Sequence, residues 1–336
     1  MTEAEIVARR GAFDGGVGAA LDAMALLSVH EVGVFTALVE GPATAAELGQ
    51  RCAVSPWRLG AFLDRTAALG FLAKEGERYA LVAGDQALFA GGVGQRAGLT
   101  FTDSATFFAR LARGTEVLRT DVAIPVAGTG GDATAEERAR FLRHVHERSL
   151  AGAAEVAKLL LARPVTRLVD LGSGLGTYAT ALLREAPAAT AVLVDRPNAA
   201  PVVEAHIHEA GLEGRARFLA ADFVEEDFGE GFDLALLSNI AHNIGADAML
   251  KTLRRLRHAL RPGGRVAIKD LVVDADRLGP SSAGRFALSM ALFTERGGVF
   301  PAGEVADWLE ATGFGDVETH QLRDAAGSYL VVGHLR

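Results

Sequence analysis

From residue 165 onward short apolar runs alternate with helical segments, and that alternation marks a mainly parallel sheet with crossover helices. Runs near 167–171, 190–195, 216–220, 232–238, 265–271, 316–320 and 328–334 predict seven strands. The first leads through a glycine-rich turn directly into a helix, in LVDLGSGLGTYATALL, where Asp170, Gly172, Gly174 and Gly176 set the spacing. Glycines let such a turn tighten and let a ligand approach the backbone, and the following helix presents free amides there. The pattern is G-x-G-x-G behind an acid. The dinucleotide fingerprint is G-x-G-x-x-G, with room for a pyrophosphate. A nucleoside-like ligand without phosphate fits better.

The second strand ends in Asp195, 19 residues past Gly176, where an acid receives ribose hydroxyls in nucleotide-binding βαβ units. The third ends in Asp222, followed by Phe223. Three acids at consecutive strand ends line the carboxyl edge of one sheet, the edge at which open α/β sheets bind ligands. The fourth strand ends as LLSNIAHNI and places His242 just past the same edge. A nucleophile elbow would need G-x-S-x-G, whereas Ser173 stands in L-G-S-G-L, so hydrolase chemistry has no support.

At about 150 residues per domain, 336 residues suggest two domains. Residues 17–38 carry Leu21, Met24, Leu27 and Leu38 at helical spacing and predict an amphipathic or largely buried helix. The segment 44–82 parses as helix, turn, helix and two short strands about EGER, a winged helix-turn-helix pattern. Ser55 is placed as an N-cap, Pro56 at the first helical position and Gly70 as a left-handed stop. Such a unit can bind DNA through residues 56–69. Those residues offer only Arg58 and Arg65 against Asp64, with Trp57, Leu59, Phe62 and Leu63 as packing surface, so a protein–protein or scaffold module is the preferred reading. Lys plus Arg is 34 against 42 Asp plus Glu, and the net charge of −8 also disfavours nucleic acid. Residues 83–135 are irregular and glycine-rich around a helical piece in TDSATFFARLARG; a helix resumes over 136–162 and Pro164 closes it.

The single Cys52 excludes an internal disulfide framework and points to a reducing compartment. The N-terminus lacks the apolar core of a signal peptide, and Asp22, His30 and Glu31 interrupt the most apolar early stretch, so neither export nor a membrane span is expected. A cytoplasmic protein follows.

The residues from 165 onward resemble a class I S-adenosylmethionine-dependent methyltransferase. Nearly the whole chain resembles the small-molecule O-methyltransferases of bacterial natural-product pathways and plant phenolic metabolism. The carriers are the winged-helix segment at 44–82, DLGSGLG at 170–176, VDRPN at 194–198, AADF at 220–223, FDLALLSNIAHNI at 232–244 and LRPGGRVAIKD at 260–270. The resemblance implies an α/β fold, a Rossmann-like seven-stranded methyltransferase sheet with an N-terminal, mainly α-helical winged-helix domain. It divides the chain into a dimerisation domain over 1–98, a helical connector lining the substrate pocket over 99–160, and a catalytic domain over 161–336. It implies S-adenosyl-L-methionine as cofactor, a small aromatic acceptor and a homodimer, with no nucleic acid and no membrane as partner.

Mapped through those motifs, the Gly172–Gly176 loop holds the methionine part, Asp195 the ribose, and Asp222 with Phe223 the adenine. Asp170, Arg196, Ser238 and Asn239 are further cofactor-binding candidates. His242 is the implied general base and Asp270 its acidic neighbour. The pattern departs from plant members in two places. Asn243-Ile244 follows the histidine where Asp-Trp is usual, and the second flanking acid falls near Phe300, where no carboxylate stands. A neutral imidazole near 6.5 facing a phenol near 10 leaves a gap of roughly 3.5 units, about 5 kcal/mol; for an alkanol near 15.7 the gap is roughly 9 units, about 12 kcal/mol. A phenolic or enolic hydroxyl is therefore the preferred acceptor.

Phe286, Met290 and Phe293 stand at helical spacing, and the resemblance makes them a wall of the acceptor pocket, joined by Phe141, His144, Val145 and His146 from the preceding helix. His144 and His146, like His206 and His208, are two apart and point to different helix faces, so no metal site is expected. The cluster of Arg254, Arg255 and Arg257 reads as a solvated helix face. Two alternatives to O-methylation stay open. One keeps the cofactor but performs N- or C-methylation, decarboxylation, hydroxylation or pericyclic chemistry; the other is a DNA-binding regulator with a ligand-sensing domain.

Overall fold

The computed structural model describes residues 3–89, 104–324 and 327–335. The chain separates into two units, Met1–Ala112 and Arg113–Arg336. The sequence-based boundary between residues 98 and 99 lies outside the described residues.

In the first unit the apolar periodicity that suggests one helix over 17–38 becomes two. Helix α1 (Glu3–Glu31) starts earlier, and α2 (Val34–Ala37) follows a break at Gly33, whose φ of +87° is left-handed. Strand β1 (Ala43–Thr44) runs into α3 (Ala45–Arg51) through a reciprocal cap, in which Glu47 N–H donates to Thr44 Oγ1 and Thr44 N–H to the Glu47 carboxylate. Helix α4 (Pro56–Ala68), β2 (Leu72–Glu75) and β3 (Arg78–Leu81) complete a winged helix, with sheet order β1-β3-β2. Pro56 opens α4 as expected, but the Ser55 side chain makes no cap bond. Short helices α5 (Gln86–Phe89) and α6 (Ser104–Leu111) follow.

Val29, Phe35, Leu48, Leu59 and Leu63 form the core of this unit, while Trp57 is 83% exposed. On α4, Arg65 is held bidentately by Asp22, and Asp64 accepts from Lys74 and Tyr79. Arg65 and Asp64 thus spend their charges inside the unit, while the exposed Arg58 lies over the Trp57 ring. No single helix among the described residues is long and apolar enough to cross a membrane. One bent pair, Gly15–Glu31 with Val34–Glu40, passes by length and composition. Several of its apolar residues, including Val29, Val34 and Phe35, are buried in the winged-helix core.

The second unit begins with α7 (Gly114–Thr120), which the glycine-rich composition of 83–135 conceals, and α8 (Ala135–Leu160), started by a Thr134–Glu137 capping box. Strands and helices then alternate: β4 (Arg167–Leu171), α9 (Thr177–Glu185), β5 (Thr190–Asp195), α10 (Ala200–Glu209), β6 (Ala216–Ala220), β7 (Phe232–Ser238), α11 (Ala241–Ala259) and β8 (Leu260–Leu271). After α12 (Ser281–Phe293) and α13 (Ala302–Ala311), an antiparallel pair, β9 (Phe314–Gln321) and β10 (Ser328–Leu335), closes the chain. The sheet order is β6-β5-β4-β7-β8-β10-β9, with β10 antiparallel to both its neighbours.

The first four strands coincide with the apolar runs read from sequence. Strand β8 begins earlier, because Leu260 pairs with Phe232 across a register shift in β7. Both faces of the sheet are covered. Leu168, Leu193, Leu236 and Ala267 pack under α8, α9 and α10, whereas Val169, Val194, Leu237 and Ile268 pack under α11 and α13. Alternation along the strands carries this division to the carboxyl edge. Asp170, Asp195, Ser238 and Lys269 fall on the α8–α9 face, and Asp270 on the α11 face.

Candidate active site

The turn between β4 and α9 is built from Gly172, Gly174 and Gly176, all at positive φ. Gly172 and Ser173 donate their amides to the Val194 carbonyl at 2.8 and 3.0 Å, which fastens the turn to β5. At Gly176 the need for glycine is double: φ is +72°, and a Cβ would lie 2.6 Å from Leu193 Cδ1. A Cβ on Gly172 would meet Ile240 at 2.3 Å and the Phe223 ring at 3.4 Å, so those side chains stand beside the turn. Phe223, implied to meet adenine, is buried there.

Asp195 is buried and holds three donors. Its Oδ2 accepts from the Gly174 amide at 2.8 Å, and its Oδ1 accepts from the Arg196 amide at 2.8 Å and from Arg138 at 2.6 Å. Asp222 is exposed and organises its own turn, accepting from Val224 N–H and placing its amide on Glu226. The Arg196 side chain donates to the Thr129 carbonyl. Ser238 Oγ is buried without a hydrogen-bond partner, and Asn239, at φ +56°, accepts from Lys269 through Oδ1 at 3.0 Å.

Asp170 lies beneath this layer. Complete burial, with Asp195 beside it, pushes its carboxyl up to about 8, opposed only in part by the Ala179 amide. An unfolded aspartate releases its proton near 3.9. Between those limits the folded chain binds the extra proton, so this group lowers stability as pH rises through the window. Asp170→Asn is expected to keep the fold and flatten that part of the Tm–pH profile. Thermal melts between about pH 4.5 and 8.5 measure it, and an unchanged slope would contradict the assignment.

Across the sheet, His242 opens α11 and Asp270 ends β8. His242 Nδ1 and Asp270 Oδ1 are 2.7 Å apart, and the second oxygen accepts from the His242 amide at 3.1 Å. One carboxylate thus fixes both the backbone and the ring of one histidine. Burial alone would raise the Asp270 carboxyl. The His242 charge and hydrogen bond, with the Leu271 and His242 amides, outweigh burial and hold the carboxyl below its ordinary value. An ionised Asp270 facing Nδ1 selects the tautomer with the proton on Nδ1 and leaves Nε2 as the basic nitrogen.

The Phe286 ring meets the imidazole edge-on at 4.9 Å, which places α12 over the dyad. The backbone around His242 is held closely too. Gly298 N–H donates to the His242 carbonyl, a Cβ on Gly297 would lie 2.2 Å from that oxygen, and one on Gly245 would lie 2.2 Å from the Arg296 carbonyl. At the position without a second acid, Phe300 packs on Trp308 and accepts from Tyr329 Oη through its carbonyl.

The other acceptor-wall candidates divide. Met290 and Phe293 are half-buried on α12, and Phe141, His144 and Val145 are half-buried on α8. His146 turns to the glycine turn instead: its Nδ1 lies 2.7 Å from Thr177 Oγ1, and its ring packs edge-on against His206. Among the described residues no cluster of three or more His, Cys, Asp or Glu could hold a metal. Sequence reading missed Arg138, which looks like one of many charges in AEERARF, and the buried Lys269–Asp324 pair at 3.4 Å. Arg138 lies in no motif, and LRPGGRVAIKD was read for Asp270 and not for Lys269; the available signal was a charge falling on the buried side of its element.

These residues fit a phosphate-free adenosine ligand. Acids rather than lysines end the two strands after the glycine turn, Phe223 flanks the turn, and the buried Ser238 hydroxyl at the same sheet edge lacks a partner. Sheet order, glycine turn and acid row together define a class I S-adenosylmethionine-dependent methyltransferase. A family model described as an O-methyltransferase domain matches residues 124–315. The chain is 30% identical over 319 residues to a 3-hydroxy-5-methyl-1-naphthoate 3-O-methyltransferase of Streptomyces sahachiroi, covering 92% of this chain and 90% of the relative. It is also 30% identical to the tetracenomycin polyketide synthesis 8-O-methyl transferase TcmO of Streptomyces glaucescens, covering 88% of each. The S-adenosylhomocysteine-bound structure of CalO1, a methyltransferase in calicheamicin biosynthesis, is 25% identical and superposes with a TM-score of 0.76 over the full length of both chains. The chain belongs to this O-methyltransferase family and is an S-adenosylmethionine-dependent O-methyltransferase.

Proposed function

We propose that this enzyme methylates a phenolic or enolic hydroxyl of an aromatic, polyketide-like metabolite, with His242 as general base. The observation that carries the reading is the buried His242–Asp270 pair at 2.7 Å with Nε2 left over, set beside the Phe286 ring. S-adenosylmethionine supplies a sulfonium methyl group as electrophile. The chain's own residues do the rest. The Gly172–Gly176 turn, with Asp170, Asp195, Asp222, Phe223, Ser238 and Asn239, holds the donor. Phe286, Met290 and Phe293 clamp the flat acceptor. His242 Nε2 takes the hydroxyl proton, Asp270 steadies the resulting imidazolium, and the oxyanion so formed would attack the methyl carbon as its bond to sulfur breaks and a neutral thioether leaves. Attack of an anion on a cation annihilates charge, so the apolar wall that excludes water favours it.

The acceptor class is supported by the relatives above, whose names specify naphthoate and tetracenomycin polyketide substrates. Incubating the enzyme with methyl-labelled donor and a panel of naphthols, hydroxynaphthoates and aliphatic alcohols tests it. Label is expected on the aromatic hydroxyls alone. Binding of S-adenosylhomocysteine with no transfer to any hydroxyl would favour the reading in which the cofactor serves other chemistry.

The same reading takes the N-terminal unit as the dimerisation module. Val17 and Leu21 on α1 are 74% and 66% exposed, and Leu21 lines a groove with Ala25 and Phe62. Sedimentation measures this, and a monomeric mass at micromolar concentration rejects it.

A further inference from the structure

The acid read as the ribose acceptor has a cation of its own. Arg138, on the first turn of α8, donates through Nη2 to Asp195 Oδ1 at 2.6 Å, and the two side chains are only 9% and 6% exposed. Its other terminal nitrogen donates to the Gly128 carbonyl at 3.1 Å, and its guanidinium lies 5.7 Å from the centre of the Phe141 ring. Gly128 is itself pinned, because a Cβ there would sit 2.6 Å from the Glu137 carbonyl oxygen. The guanidinium is therefore clamped between a fixed carbonyl, a ring and the carboxylate. Its Nε is buried and has no partner.

Asp195 has four lone-pair directions, and three are filled: by Arg138 and Arg196 on Oδ1 and by Gly174 on Oδ2. These three donors fix the carboxylate plane and leave one direction open. A planar fork held rigidly orients a carboxylate as a mobile ammonium does not. Asp170 next to it is protonated at neutral pH and supplies no charge, so the guanidinium is the cation that compensates the buried carboxylate.

We infer that Arg138 is a positioning residue that sets the enzyme's selectivity for a ribose over a deoxyribose in its donor, by fixing the orientation of Asp195. The inference rests on the reading of Asp195 as the ribose acceptor. An oriented, buried carboxylate rewards the hydroxyl that fills its open direction and penalises a ligand that leaves it empty. A carboxylate free to turn would reward and penalise less.

The test is calorimetric binding of S-adenosylhomocysteine and its 2′-deoxy and 3′-deoxy analogues, which needs no turnover. Wild type is expected to bind at least one deoxy analogue about 10-fold or more weakly than the parent. In Arg138→Met the parent should lose about 10-fold while that analogue barely changes, so the ratio falls toward about one. Arg138→Lys keeps the buried charge without the fork, is the milder change for folding, and should give an intermediate ratio. A folded Arg138 variant that loses affinity equally for all three ligands, leaving the ratio at its wild-type value, overturns the inference and makes Arg138 a structural clasp. A separate outcome reaches the underlying reading. If wild type does not discriminate and Asp195→Asn binds normally, Asp195 does not receive the ribose and both fall.

Discussion

His242→Ala is expected to lower kcat by about 10²- to 10⁴-fold, the usual contribution of a positioned general base. Donor affinity should hardly change, because the imidazole faces Phe286 and Asp270 and makes no bond to the glycine turn. The loss should depend on the acceptor. A phenol made more acidic by electron withdrawal needs less help in shedding its proton, so the gap between wild type and variant should narrow along a series of increasingly acidic phenols. Steady-state rates with labelled donor across that series measure it. A kcat within about threefold of wild type on an ordinary phenol, well short of a base's usual contribution, would remove His242 from the chemistry.

Asp270→Asn is expected to cost about 10²- to 10³-fold in kcat with the fold retained, somewhat less than the effect of the corresponding change in a serine protease triad. The side chains have nearly the same shape, but an amide can turn its NH₂ toward Nδ1 and so place the imidazole proton on Nε2, where it blocks proton acceptance. The buried carboxyl is held below its ordinary value in the fold. It therefore contributes stability that is complete above the unfolded value near 3.9 and is lost as pH falls through the lower folded value. The variant lacks that contribution, so wild type should melt higher at neutral pH and the difference should shrink in acid. Paired rate and melting measurements separate the two effects. A variant as active as wild type would show that Asp270 does not choose the tautomer.

The strand pattern was legible because period and burial are local properties. LVDL, TAVLVD, ARFLA and FDLALLS are apolar runs bounded by turn residues, and each became the strand it predicts. The break at Gly33 was less legible, since the apolar spacing runs on through a residue whose left-handed φ appears only once α2 packs. Helix α7 stayed hidden for the opposite reason: GTEVLRT has no buried residue and no strong period of its own.

The candidate site divides along the same line. Sequence by itself determined the acids at the strand ends, the glycine turn and a histidine past the fourth strand, because strand length places those residues at one edge. Only the tertiary structure decided that the Asp270 carboxylate takes both the backbone amide and ring Nδ1 of His242, that Phe286 covers the ring, and that Arg138 reaches Asp195 from 57 positions away. Each of those contacts joins elements that meet only after a crossover helix has packed on the sheet. Burial gives each its strength, since a charge without its partner in a dry interior is costly, and no local pattern records which partner will arrive.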